Sequence, residues 1–431
     1  MQAALLSIGD ELALGQTVDT NAAWLAARLA RLGIACHEHR TVADDLDRVT
    51  AAIRACAEAA ELLIITGGLG PTDDDLTRPA LAKAMGVELV EDPGSVDQIE
   101  AYFLGRGRTM PPRNRVQATH PQTSAMIPNS CGTAPGIDAR LGLCRVFGTP
   151  GVPREMKAMY ERSIEPAILG SGGSGRTILT AKINTFGQGE SDIAELLGPL
   201  MARDRNPVVG TTVSQGQVSI RVRAEYPEVK QAGHELESTA QEVEAKIGPI
   251  AFGREQETLQ ESLTKLLIDR QLTVATAESC TGGLIAGMLT DVPGSSAVVL
   301  GGWVTYANAM KIEQLGVDPD TLQAGGAVSG TTVTQMASGA LEQSASDLAI
   351  ATSGIAGPGG GTEDKPVGTV WFGLAWREGE TIRTTARLAR LTGDRQTVRD
   401  RSAKIALQML RLHVMGKDLS LVRWLVPDQH A

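Results

Sequence analysis

The chain has 431 residues, of which 42% are hydrophobic and only 3% aromatic, with a formal net charge of −10. That length fits two to four domains, and no apolar run approaches the ~18 residues that suggest a membrane span. The acidic balance, without any Lys/Arg block, excludes electrostatic grip on a nucleic-acid backbone as the main task.

Five cysteines with no C-x-x-C spacing indicate reduced thiols in a cytoplasm, not a disulfide frame or a zinc site. The first residues carry no basic stretch and run into a strand, so no signal peptide is expected there.

Residues 2–8 read as a buried strand ending in Gly9-Asp10-Glu11-Leu12. Gly15-Gln16-Thr17-Val18-Asp19-Thr20-Asn21 then leads into a helix with Trp24, Leu25, Arg28, Leu29 and Leu32 at helical spacing, closed by Gly33. A strand at 34–42, a helix carrying Leu46, Val49 and Ile53, and the strand Leu62–Thr66 follow. Strands alternating with helices predict an α/β layered domain on a mainly parallel sheet. His37 and His39 share one strand face, and with no third ligand near they read as a solvated face.

The strand at 62–66 opens onto Gly67-Gly68-Leu69-Gly70-Pro71-Thr72-Asp73-Asp74-Asp75-Leu76-Thr77, with a helix starting near Thr77. Glycines let a backbone approach a phosphate closely, and Asp73 to Asp75 could hold a bridging divalent cation. A Gly-Pro turn followed by an acidic N-cap explains the same residues. Pro111–Arg115 and Asn129–Gly136 read as ordered loops, and Val146–Pro153 as a strand, turn and helix start.

Leu169-Gly-Ser-Gly-Gly-Ser-Gly175 reads as a flexible linker. Beyond it a strand (177–186), a helix (190–203), an alternating strand (217–225) and a long polar helix (228–246) form a small α+β unit with half-exposed antiparallel sheet. Residues 248–256 read as a second boundary. Then come a helix at 257–270, a β-favouring run into Glu278-Ser279-Cys280-Thr281-Gly282-Gly283, a strand at 297–306 and a helix at 308–315. A helix near 330–343, strands at 348–352, 367–376 and 381–390, and a helix at 395–412 complete the order. The tail from 416 has no assigned role.

Ser279 and Cys280 are candidate nucleophiles where a strand meets a helix start, although Ser279 or Thr281 serving only as an N-cap explains the pattern too. A serine needs a base, and no histidine lies between 235 and 412, which argues against a Ser-His-Asp triad. A Ser–Lys or Ser–Tyr–Lys arrangement with a desolvated Lys311 and Tyr306 is the available substitute. Arg395 and Arg399, one turn apart at a helix start, could clamp a phosphate or carboxylate. Solvated charges and core-edge packing are the duller roles for these same side chains.

Ala277-Glu-Ser-Cys-Thr-Gly-Gly283, Val304-Thr-Tyr306, Gly326-Ala-Val-Ser329, Ser353-Gly-Ile-Ala-Gly-Pro358, Lys365-Pro-Val-Gly-Thr-Val370 and Gly393-Asp-Arg395 resemble the C-terminal domain of the CinA competence/damage-inducible family. That domain also occurs alone as a nicotinamide mononucleotide deamidase. Gly9–Leu12, Gly15–Asn21, Gly67–Thr77 and Pro150–Pro153 resemble the family's N-terminal domain, which is similar to molybdopterin-binding domains and associated with metal-dependent ADP-ribose hydrolysis.

The resemblance implies an α/β chain in three parts. These are a molybdopterin-binding-like three-layer α/β pyrophosphatase domain at 1–169, a small α+β connecting domain at 176–249, and an α/β deamidase domain at 256–415. It implies Ser279 as nucleophile assisted by Tyr306, with Lys311 placed as base by spacing. Ser353 and Gly354 would lie near the substrate, and Arg395 would hold its phosphate or polarise its amide, with Arg399 beside it. Oxyanion donors are expected from the Thr281, Gly282 and Gly283 turn, and the capping role from Thr281.

In the N-terminal domain Gly67, Gly68, Gly70, Asp75 and Thr77 match the nucleotide loop, with Asn21 and Thr133 as further binding positions. Asp10, Asp73 and Asp75 are the implied ligands of a divalent Mg, Mn or Co ion, whereas the deamidase needs no cofactor. Nicotinamide mononucleotide and ADP-ribose are the implied ligands of a cytoplasmic homodimer without membrane or direct nucleic-acid contact. A pterin- or nucleotide-binding protein without hydrolysis, or an adaptor in competence or DNA damage, are the alternatives.

Overall fold

The computed structural model describes residues 1–170 and 176–427. Most of the expected linker at 169–175 lies outside the described residues. The chain separates into two compact units, Met1–Leu179 with Ala224–Glu235, and Thr180–Arg223 with Leu236–Ala431. Among the described residues no helix is long and apolar enough to cross a membrane.

In the first unit β1 (Gln2–Ile8) lies parallel between β2 (Ala35–Val42) and β3 (Leu62–Thr66). A short pair, β4 (Leu89–Glu91) and β5 (Thr119–Pro121), stands apart. The main sheet continues with β6 (Ala125–Ile127), β7 (Gly136–Leu141) and β8 (Cys144–Thr149). Its order is β2-β1-β3-β8-β7-β6, with β8 parallel to β3 and the last two strands antiparallel.

The central strands are apolar on both faces because both faces are covered. Ala4, Leu6 and Ile8 pack with Val49, Ile53, Cys56, Ala80 and Leu81. Ala3 and Leu5 turn the other way, onto Leu25, Leu29, Met156 and Tyr160. Asp19, Asp45 and Asp92 each cap a helix by accepting a backbone N–H three residues on. Two stretches differ from expectation: Asp10–Ala13 forms a short helix, and Pro112–Ala118 a 3₁₀ helix in place of a loop.

A four-stranded antiparallel sheet is built from β9 (Thr177–Phe186), β10 (Val208–Ser214), β11 (Gln217–Tyr226) and β12 (Ala251–Arg254), in the order β10-β11-β9-β12. Two of these strands were not expected. Gln215 and Gly216 take positive φ (49° and 77°), closing a two-residue hairpin between β10 and β11. The stretch expected as a second boundary holds β12, which pairs with β9. The helix expected at 190–203 ends at Leu197, because Gly198-Pro199 starts a 3₁₀ turn.

The third sheet contains β13 (Val274–Glu278), β14 (Val299–Val304), β15 (Leu348–Gly354), β16 (Thr369–Glu378), β17 (Thr381–Arg390) and β18 (Leu425–Pro427). Its order is β14-β13-β15-β16-β17-β18, parallel across the first three strands and antiparallel beyond. One face carries Val274, Ile350, Phe372 and Leu374 against the helices Leu259–Arg270, Leu284–Thr290 and Arg395–Val414. The other face is lined by Ala275, Ala277, Ala349 and Ala351, small enough to seat the helix Gly330–Ser344 closely. A Cβ added at Gly373 would stand 2.2 Å from Val333 O, which is why that strand position is glycine. The tail, which had no assigned role, supplies β18.

Candidate active site

Glu278 at the end of β13 is in register with Val304 of β14 and Thr352 of β15. Ser279 and Thr305 therefore leave the sheet side by side at its carboxyl edge, beside Ser353 near the end of β15, where ligands of open α/β sheets bind. The Ser279 N–H donates to Thr352 O (3.0 Å), and the Thr305 N–H donates to Glu278 O (2.9 Å). The segments holding Ser279 and Thr305 are thus tied to a rigid sheet edge.

Lys311, in the helix Asn308–Leu315, is 0% exposed. Its Nζ donates to Ser279 Oγ (3.2 Å), Thr305 O (2.8 Å) and Tyr306 O (3.3 Å). None of these partners is a carboxylate, and burial pushes the pKa of Lys311 below the ordinary lysine value. An amine so placed can take up a hydroxyl proton from Ser279 nearer to neutral pH. Cys280, the neighbouring candidate, packs into the apolar core, and burial pushes its thiol up to about 12. A thiol held neutral is a poor nucleophile.

The turn after Ser279 departs from expectation in two ways. Thr281 does not cap the following helix: its hydroxyl pairs with Thr352 Oγ1 (2.7 Å). The cap is the fully buried Glu278 carboxylate, which accepts from the N–H groups of Gly283 (2.9 Å), Ile285 (3.1 Å) and Ala286 (2.8 Å). Of the three expected oxyanion donors, Gly283 is therefore spent on Glu278, and Gly282 donates to Ser279 O (3.1 Å). Glu278 was missed because a carboxylate inside a buried strand carries no periodic signal. Its place one residue before the nucleophile, at a strand end, was the available cue.

Arg395 and Arg399 do not form a joint clamp. Arg395 is exposed and donates to Gly357 O (2.8 Å) and the Tyr306 hydroxyl (3.2 Å). Arg399 donates to Cys280 O (3.2 Å) and Thr281 O (2.8 Å). Tyr306 is 59% exposed; it meets Lys311 through its backbone carbonyl while its hydroxyl stays with Arg395. Ser353 is buried and spends its hydroxyl proton on Ala327 O (2.6 Å). Gly354 is glycine because an added Cβ would meet Thr369 O at 2.8 Å.

In the first unit the registers Ser7–Thr66 and Thr66–Thr149 bring Ile8, Gly67 and Pro150 together at the strand ends. A cavity of about 150 Å³ there is lined by Ile8, Asp19, Asn21, Thr66, Gly151 and Pro153 among others. The Asn21 amide donates to Thr66 Oγ1 (3.0 Å) and Gly151 O (2.7 Å). Gly67 and Gly68 both take positive φ, and Cβ atoms there would meet Ile8 O at 2.2 Å and Thr77 Oγ1 at 2.5 Å. Thr77 fastens the loop through its hydroxyl to Gly67 O (2.7 Å). Thr133 is half-buried in the loop before β7.

The acidic residues of this region do not fit a cation site built by the protein. Asp75 accepts from Gly70 N (2.6 Å), Thr72 N (2.8 Å) and the Thr72 hydroxyl, so it braces the glycine loop. Asp10 is paired with Asp44 through reciprocal backbone N–H bonds (3.0 and 2.8 Å). Asp73 is exposed. Among the described residues no group of three or more His, Cys, Asp or Glu side chains is arranged to hold a metal.

Three family descriptions match the chain in succession: "Probable molybdopterin binding domain" over residues 4–170, "Damage-inducible protein CinA KH domain" over 180–253 and "CinA C-terminal domain" over 256–414. A putative competence-damage inducible protein of Symbiobacterium thermophilum is 40% identical, covering 96% of this chain and 99% of its own. A CinA-like protein of Geobacter sulfurreducens is also 40% identical, over 96% of this chain and all (100%) of its own. The solved competence/damage inducible protein of Agrobacterium tumefaciens is 44% identical over 37% of this chain and 97% of its own, with a TM-score of 0.34.

Proposed function

We propose, because the chain belongs to the CinA family of competence/damage-inducible proteins, that its C-terminal part is a serine amidase. Its substrate in this reading is nicotinamide mononucleotide, hydrolysed to nicotinate mononucleotide and ammonia. The observation that carries the reading is the buried Lys311 amine 3.2 Å from Ser279 Oγ, with three oxygen partners and no carboxylate. The neutral amine takes the Ser279 proton as Oγ attacks the carboxamide carbon, and the lysine ammonium returns a proton to the leaving nitrogen, which departs as ammonia. Lys311 then takes a proton from water as it attacks the Ser279 ester, and gives it back to Oγ on collapse. Arg395 and Tyr306 stand at the exposed rim, suited to the nucleotide phosphate. The test is turnover by the full chain: one ammonia per nicotinate mononucleotide is expected, and no ammonia overturns nicotinamide mononucleotide as the substrate.

For the N-terminal part we propose binding and cleavage of ADP-ribose at the Gly67–Thr77 loop, supported by the two positive-φ glycines beside the strand-end cavity. Asp75 acts here by bracing the loop. Asp75→Asn, which loses acceptor capacity toward Gly70 and Thr72, is expected to raise KM for ADP-ribose about tenfold or more, since each charge-assisted bond contributes roughly 1.5–3 kcal/mol. Unchanged kinetics would remove the bracing role. Pterin binding without ADP-ribose turnover would favour a non-hydrolytic binding domain.

A further inference from the structure

A helix start behind a nucleophile ordinarily offers several N–H groups to an oxyanion, but here most have acceptors of their own. Gly282 donates to Ser279 O (3.1 Å), Gly283 and Ile285 to Glu278 Oε2 (2.9 and 3.1 Å), and Ala286 to Glu278 Oε1 (2.8 Å). Among the described residues the N–H groups of Cys280 and Thr281 find no protein acceptor, and of these two only the Thr281 N–H belongs to a peptide whose carbonyl is held by a cation. The carbonyl of that same peptide unit, Cys280 O, accepts Arg399 Nε at 3.2 Å, and the next carbonyl, Thr281 O, accepts Nη2 at 2.8 Å.

A peptide whose carbonyl is bonded to a cation is polarised along its length, so its N–H becomes a stronger donor. The turn is shaped to admit the guanidinium. Gly282 takes φ +62°, and a Cβ there would stand 3.3 Å from Arg399 Nη2. Two of the guanidinium's nitrogens are thus committed to backbone carbonyls, an arrangement that serves the turn and not a substrate phosphate.

We propose that Arg399 is a positioning residue of the amidase centre: it holds and polarises the Cys280–Thr281 peptide so that the Thr281 N–H stabilises the oxyanion formed when Ser279 attacks. The proposal rests on the serine-amidase reading above and deepens it. It separates two arginines one helical turn apart, with Arg395 for ligand at the rim and Arg399 for the donor peptide beneath.

The experiment compares wild type, Arg399→Met and Arg399→Lys in the full chain. The substrates are nicotinamide mononucleotide and its phosphate-free nucleoside. Loss of an oxyanion donor costs about 10²–10³ in kcat, and weakening one costs less, so Arg399→Met is expected to lower kcat by about 10–100-fold. KM should move by less than about threefold, the kcat loss should be the same on both substrates, and lysine should recover part of it. An unchanged kcat, or a KM rise confined to the phosphorylated substrate, overturns the proposal.

The rate at which a fluorophosphonate labels Ser279 is measured on the same three proteins, because it needs no natural substrate. Slower labelling in Arg399→Met than in Arg399→Lys supports the proposal even if the wild type releases no ammonia, which would sink only the substrate reading. Equal labelling in all three overturns it. Should the methionine variant fail to fold, Arg399→Lys decides alone: reduced kcat and labelling at unchanged KM support the role, and wild-type values for both overturn it.

Discussion

Lys311→Met is expected to lower ammonia release from nicotinamide mononucleotide by about 10²–10⁴-fold, the span of a lost general base. Methionine keeps much of the side-chain volume in a fully buried position, so the fold should survive. Three acceptors, Ser279 Oγ, Thr305 O and Tyr306 O, lose a donor, but a buried ammonium without a carboxylate partner disappears as well, and the two effects oppose. The melting temperature is therefore expected to shift by only a few degrees while activity collapses. Arg at 311, always charged, should be as inactive as Met, because it cannot accept the proton.

The same residue sets the pH dependence. Burial lowers the pKa of Lys311 from 10.5, and the active form is the neutral amine. The kcat/KM profile of the wild type should thus rise with pH along a limb whose midpoint lies below 10.5. Ionisation of Cys280 does not contribute to that limb, since its thiol is held up at about 12. A limb that persists unchanged in Lys311→Met would assign the titration to another group.

Glu278→Gln should produce the second large effect, on stability and activity together. The carboxylate accepts three backbone N–H bonds from a position that is 0% exposed. An amide offers one acceptor oxygen and turns an NH₂ toward donors, leaving at least one N–H unmatched. The expected destabilisation is roughly 2–4 kcal/mol, read as a lower urea midpoint. Because the same bonds fix the turn that aims Ser279, a shift of about 1 Å there should cost on the order of 10² in kcat. A variant with a wild-type urea midpoint and kcat would refute the capping role.

Much of the architecture was legible because both large sheets bury both faces. Leu62–Thr66 and Leu348–Thr352 are continuous apolar runs bounded by glycine loops, and the helices at 20–31 and 395–414 carry the matching stripes. Among the strands that escaped notice, β10, β12 and β18 lie at sheet edges, where pairing and packing come from one side and alternation weakens, and β4, β5 and β6 are three residues each, too short for any alternation to show; β7, inside its sheet, escaped as well. Residues 319–325 form a helix that no periodicity announced.

At the site, residue types and spacing offered Ser279 and Cys280 as nucleophiles and Lys311 as a base, because the absence of a nearby histidine left few bases, and the family resemblance chose Ser279 between the two. Spacing could not assign Arg395 and Arg399 separate partners, since one helical turn describes where the backbone lies and not where each guanidinium reaches. Nor could it foresee that Glu278 and Asp75 serve the backbone. A carboxylate beside a glycine turn suits a ligand, a metal or the turn's own N–H groups equally well, and only the distances choose.

The central claim is that Ser279, activated by Lys311, carries the acyl group of the substrate. Its most direct test is ammonia release from nicotinamide mononucleotide by the wild type and Ser279→Ala at equal concentration. Release by the wild type and loss of at least about 10³-fold in the alanine variant is the predicted result. Equal release by the two proteins would contradict it.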